Sequence, residues 1–114
     1  IKFIKRRKRL YKGEKEMIDV SKVVTIAGID SSGGAGINAD LKTFHNQKVY
    51  SATIVTGLTA QNTYGVQEIL PTNKAFILAQ FDSVFSDLEI SAAKTGALFD
   101  TAQVEAVIQG LKKY

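Results

Sequence analysis

Residues 23–44, Val-Val-Thr-Ile-Ala-Gly-Ile-Asp-Ser-Ser-Gly-Gly-Ala-Gly-Ile-Asn-Ala-Asp-Leu-Lys-Thr-Phe, pass from a β-branched strand through a glycine-rich turn into a helix. Val23, Val24 and Ile26 are buried-strand types, while Gly33, Gly34 and Gly36 permit backbone conformations and close approaches that a Cβ forbids. The helix that follows aims unpaired N–H groups back at the turn. A chain built this way is expected to form a strand–turn–helix corner able to hold an anion or a small ligand.

Beyond that corner the pattern alternates between strand and helix, the signature of a parallel sheet flanked by helices. Strands are predicted at 22–27, 50–58 and 91–95, with a short extended segment at 66–70 closed by Pro71. Helices are predicted at 35–47 and 73–87, and a third begins at Asp100 and Gln103, which read as a capping pair. The class is therefore α/β, a mostly parallel sheet in the order β-α-β-β-α-β-α. Ile37, Leu41 and Phe44 form the apolar stripe of the first helix, with Asp40 on the same stripe. Ile77, Phe81, Val84, Phe85 and Leu88 are expected to be buried in the second, and Val104, Val107, Ile108 and Leu111 to face inward from the third.

Ligands of open α/β sheets sit beyond the carboxyl ends of the strands, and here those ends carry residues 28–36, 59–63 and 96–99. Three loops should converge on one crevice. With no strand following the third helix, the sheet is expected to expose an unpaired edge and some apolar surface unless a partner or further residues complete it.

Composition limits what the crevice can do. The 114 residues, 45% hydrophobic, suffice for one modest core. No cysteine is present and histidine occurs once, so thiolate chemistry is excluded and a His-based metal site is not expected. No apolar run approaches the roughly 18 residues of a membrane span, and the lysine-rich start lacks the apolar stretch of a secretory signal, so a cytoplasmic protein without a membrane is expected. The net charge of +4 is uneven: residues 1–16 hold eight Lys/Arg against two glutamates, +6, which leaves −2 for 17–114. The basic leader 1–16 precedes the only methionine, Met17, and Lys12-Gly13-Glu14 can be encoded by a purine run like a ribosome-binding site. The leader is therefore expected to be disordered or non-native, and Met17 to be the start. Its rival role, a basic arm for RNA or anionic membrane, is the weaker expectation, so nucleic acid is not expected as a partner.

Two familiar motifs fail. Gly34-Ala-Gly-Ile-Asn-Ala39 fits G-x-G-x-x-A, but no acidic residue stands near 54–58 to hold a ribose, and Leu41 occupies the place where a P-loop needs glycine before Lys42-Thr43. What remains is Asp40 facing inward and Gln61 at the end of the second strand. A neutral amide offers donor and acceptor together, which suits a heterocycle better than a phosphate. Blander roles are open for each: a solvated or backbone-bonded carboxylate for Asp40, ordinary loop residues for Gln61 and Asn62, a helix cap for Asp30, and a surface position for His45.

The segment 25–44, Thr59-Ala-Gln-Asn-Thr63 with Gly65-Val66-Gln67, Gln80-Phe-Asp-Ser-Val84, and Lys94-Thr-Gly-Ala-Leu98 together resemble the amino-terminal portion of the hydroxymethylpyrimidine/phosphomethylpyrimidine kinases of thiamine biosynthesis, in the ribokinase-like superfamily. The resemblance runs from Val23 to the end, making 17–114 the amino-terminal part of such a kinase domain. It implies a pyrimidine pocket to which Gly28, Asp40, Thr59 and Gln61 contribute, Gln61 bonding the aminopyrimidine edge and Thr59 acting through its backbone. Family members transfer the ATP γ-phosphoryl group, with Mg2+, to the hydroxymethyl group and then to the monophosphate. Relatives are more than twice this long, and their later half carries the general base, the anion hole and the ATP site. The expectation is a truncated form, inactive alone, with no catalytic residue of its own; a homodimer is implied for the full-length form. Lys48 and Ser51 stand where relatives commonly have glycine, and Ala97 where they often have a larger apolar residue. Ala60-Gln61-Asn62 favours pyrimidine over pyridoxal. The rivals are a pyridoxal or other vitamin kinase of the same fold and a non-catalytic ligand-binding module.

Overall fold

The computed structural model describes residues 20–114; the basic leader and Met17 lie outside the described residues. Seven elements follow one another: β1 (Lys22–Asp30), α1 (Gly36–Asn46), β2 (Tyr50–Asn62), β3 (Gly65–Pro71), α2 (Lys74–Asp87), β4 (Ala92–Thr95) and α3 (Thr101–Lys113). They occur in the expected order. The sheet runs β3-β2-β1-β4, with β1 parallel to both β2 and β4 and with β3 antiparallel to β2. It is mixed at one edge rather than wholly parallel.

Alternation along β1 sorts its side chains between two faces. Val24 and Ile26, with Ile54 of β2, meet Ile77 and Phe81 of α2 and Ala106 and Val107 of α3 in the main core. Thr25 points the other way, to α1. Covered on both faces, β1 is buried almost without interruption from Val24 to Gly28, which is why its sequence reads as a continuous apolar run.

Two expectations are corrected here. Residues 59–62 are not a loop: β2 continues to Asn62, because β3 folds back on it and supplies the partner that an isolated polar segment would lack. The α3 face is also rotated. Gln103, Ala106, Val107 and Gly110 are buried, whereas Val104, Ile108 and Leu111 are exposed. Gly110 decides this, since a Cβ there would lie 2.6 Å from the Phe81 ring. The absence of a side chain lets α3 press directly on that ring, and the apolar stripe turns outward.

Caps fix the helix starts. Asn73 accepts from the Phe76 N–H at 2.8 Å and Asp100 from the Gln103 N–H at 2.7 Å. Gln103 does not complete a reciprocal box with Asp100. It is wholly buried, accepts from the Phe99 N–H and donates to the Thr56 and Thr72 carbonyls, tying α3 to the sheet. On the β3 side, Gln80 pairs both backbone groups of Val55, donating to its carbonyl and accepting from its N–H.

Candidate functional site

The parallel strands end together. Gly28 lies opposite Gly57, Ile29 opposite Leu58 and Asp30 opposite Thr59, but Ala27 lies opposite Val55, so Thr56 is an extra residue on β2. A second register shift falls between Ala60 and Gln61. Bulges of this kind bend a strand and re-aim its side chains, and here they bracket residues 57–60 at the mouth of the crevice. A Cβ on Gly28 would lie 3.1 Å from Phe99 Cζ, and one on Gly57 would lie 2.7 Å from Phe99 Cε2. The two glycines leave room for an aromatic ring laid across the strand tips.

The glycine turn is built around Asp30. Its carboxylate accepts from the Ser32 hydroxyl and the backbone N–H groups of Ser32, Gly34 and Ala35 at 2.7 to 3.0 Å, while its carbonyl accepts from the Gly33 N–H. The Asp30 N–H donates to Asn38 Oδ1. Asp30 is buried, and the Ser32 hydroxyl bond, reinforced by those backbone bonds against the cost of burial, holds its carboxyl below the ordinary value. This corrects the first reading of the turn. The N–H groups of Ser32, Gly34 and Ala35 point at a carboxylate the chain supplies itself and that of Gly33 at the same residue's carbonyl, so they are not an open cradle for an anion. Asp30 does more than cap the helix: Ala35, the cap position, has no side-chain cap bond of its own. Gly36, at φ +57°, abuts the Gly28 carbonyl and admits no side chain.

Gly28, Thr59 and Gln61 are gathered at this corner. Thr59 Oγ1 lies 2.9 Å from the Ile29 carbonyl and 3.1 Å from Gln61 Oε1, so its one proton serves one acceptor at a time. The Gln61 backbone bonds twice to Ser31: the Ser31 hydroxyl donates to the Gln61 carbonyl and accepts from the Gln61 N–H, each at 2.7 Å.

Asp40 is held elsewhere. Its Oδ2 accepts from the buried Thr25 hydroxyl at 2.6 Å and from Lys94 Nζ at 2.7 Å, joining α1 to β1 and β4. Thr25 precedes Gly28 by three residues, about 10 Å along a strand. The structure gives Asp40 no hydrogen bond to Gly28, Thr59 or Gln61. Sequence reasoning missed Ser31, Phe99 and Lys94; a serine, a phenylalanine and a lysine in loops or at a strand end carry no periodic signal. Lys42, rejected as a P-loop lysine, donates to the Gly33 carbonyl at 2.9 Å.

A parallel core whose polar strand tips meet a glycine turn, with α1 on one face and α2 and α3 on the other, is the architecture of ribokinase-like small-molecule kinases. The chain belongs to the phosphomethylpyrimidine kinase family, which it matches over residues 30–114. It is 52% identical over 91 residues to the hydroxymethylpyrimidine/phosphomethylpyrimidine kinase of Escherichia coli (strain K12), covering 80% of this chain and 34% of that protein. It is 41% identical over 97 residues to the enzyme of the same name from Bacillus subtilis (strain 168), covering 85% of this chain and 36% of that one. The chain thus spans about a third of the length of these relatives. The crystal structure of phosphomethylpyrimidine kinase from Clostridium difficile 630 is similar with a TM-score of 0.80 at 44% identity, over 82% of this chain and 41% of that one. An ADP complex of Bacillus subtilis pyridoxal kinase is similar with a TM-score of 0.75 at 36% identity, over 83% of this chain and 36% of that one.

Proposed function

We propose that this chain forms the pyrimidine-binding part of a kinase that phosphorylates 4-amino-5-hydroxymethyl-2-methylpyrimidine and then its monophosphate in thiamine biosynthesis, with ATP as phosphoryl donor. Within the family membership, one observation carries the reading: Gln61 is fixed beside the glycine turn at the strand tips, where an amide can meet an aminopyrimidine edge with donor and acceptor at once. Gly28 contributes a wall without a side chain, and Thr59 holds the Gln61 amide. Asp40 retains a role through Oδ1, which accepts no hydrogen bond among the described residues. The working compartment is the cytoplasm; among the described residues no helix is long and apolar enough to cross a membrane.

The donor end of the reaction is assigned to no residue here. No cluster of three or more His, Cys, Asp or Glu side chains suited to a metal ion occurs among the described residues, and the turn N–H groups are engaged by Asp30. The general base, anion hole and ATP site belong in this reading to the two thirds of the kinase fold that the chain does not span. Such a kinase depends on positioning and electrostatic stabilisation around the γ-phosphate, so the 114-residue chain alone is expected to bind pyrimidine without turning ATP over.

The likeness to pyridoxal kinase supports a second reading, a vitamin kinase of the same fold acting on pyridoxal. Parallel calorimetric titrations of the chain with the aminopyrimidine and with pyridoxal separate the two. Preferential binding of the pyrimidine is expected; preference for pyridoxal rejects the substrate assignment.

A further inference from the structure

The β1–β2 ladder ends at the Asp30–Thr59 pair, where β1 turns away into the glycine loop. Gln61, two residues further along β2, has lost its neighbour on that side. Ser31 replaces it. The hydroxyl donates to the Gln61 carbonyl and accepts from the Gln61 N–H, both at 2.7 Å, and so satisfies alone the two groups that a continuing parallel strand would pair through two of its residues. One side chain thus serves as an extra rung, at the point where the β2–β3 register shifts and Gln67 of β3 is left as the extra residue. We infer that Ser31 is the positioning residue that sets where the Gln61 amide stands, and so tunes recognition of the aminopyrimidine edge. This rests on the pyrimidine reading above.

The geometry supports a role in recognition over a role in folding. Ser31 is exposed and lies outside the core, so its hydroxyl is not needed to satisfy a buried group. What it holds is the backbone of a residue whose side chain, among the described residues, hydrogen-bonds only Thr59 Oγ1. Without Ser31 Oγ the Gln61 N–H and carbonyl lose their partner on the β1 side, while pairing with β3 at Val66 and Gly65 keeps β2 in the sheet, so the backbone shift is local and carries the amide with it. Threonine keeps the oxygen; alanine removes it and little else.

The test is a double-mutant cycle on the full chain, with aminopyrimidine affinity read by calorimetry for wild type, Ser31→Ala, Ser31→Thr, Gln61→Ala and Ser31→Ala/Gln61→Ala. Ser31→Ala is expected to raise Kd five- to tenfold, Ser31→Thr to restore it, and Ser31→Ala to have no further effect once Gln61 is alanine. Faster hydrogen exchange at the Gln61 N–H in Ser31→Ala, with core amides unchanged, is the accompanying signature. A Ser31→Ala variant that binds as wild type does, or whose effect simply adds to that of Gln61→Ala, overturns this inference and leaves the pyrimidine reading standing. Wild type that binds no aminopyrimidine overturns the pyrimidine reading, and the inference with it.

Discussion

Asp30 shows how much a single side chain can organise: five bonds from its carboxylate and carbonyl hold the whole turn from Ser32 to Ala35. A carboxyl held below its ordinary value contributes stability that is fully present above its unfolded pKa, about 3.9, and is lost as pH falls through the lower folded value. Thermal unfolding followed between pH 5 and pH 2 should therefore show an acid loss that Asp30→Asn lacks, the variant being weaker at neutral pH. Lys48 makes the opposite case. It is the one non-glycine residue with positive φ among the described residues, at +58°, in the turn after α1. A left-handed backbone carries strain for lysine that glycine would not have. Lys48→Gly should raise stability by up to about 1 kcal/mol in urea unfolding, because relief of left-handed strain outweighs the added entropy of the unfolded glycine.

At the scale of elements, α3 is where pattern and packing part company. Its apolar residues suggest one inward face, yet the face chosen carries Gln103 and Gly110. Alanine in place of a helical glycine ordinarily gains up to about 1 kcal/mol, but a Cβ at 110 would meet the Phe81 ring at 2.6 Å. Overpacking of this kind costs about 1–3 kcal/mol and wins, so Gly110→Ala should lower the urea midpoint. Gln103→Leu is expected to destabilise by about 1–3 kcal/mol on the same measurement, since it strands the Thr56 and Thr72 carbonyls and the Phe99 N–H. The same change should loosen Phe99 over Gly28 and Gly57. The ion pairs on the outer surfaces of these helices, Lys74–Glu105 and Lys113–Asp82, are exposed and add little.

At the scale of the whole sheet, the strand order among the described residues places β3 and β4 at the edges. Beside β3 stand Leu58, Val66, Ile69 and Leu70, all exposed, with Leu70 at 65%. Exposed apolar side chains on an unpaired edge favour association. Leu70→Lys is expected to leave the fold intact, because the core cluster does not include Leu70, and to reduce concentration-dependent association in sedimentation velocity. Retained association would assign the contact to another surface.

The sequence by itself determined the order of elements, the β1 core, the helix cap at Asp100, and the meeting of the Gly28 turn with Thr59 and Gln61. These follow from periodicity, capping and strand polarity, which act within a few residues of one another. Only the tertiary structure decided that Asp30 fills its own turn, that Asp40 is tied to Thr25 and Lys94, that β2 runs through Gln61, and that α3 turns its glycine inward. The ties of Asp40 and of Gln61 depend on partners 15 to 54 residues away, and the α3 face on the space left by a missing Cβ, neither of which is written in a local pattern; the Asp30 bonds span only two to five residues but depend on the conformation of a loop that has no periodicity to read.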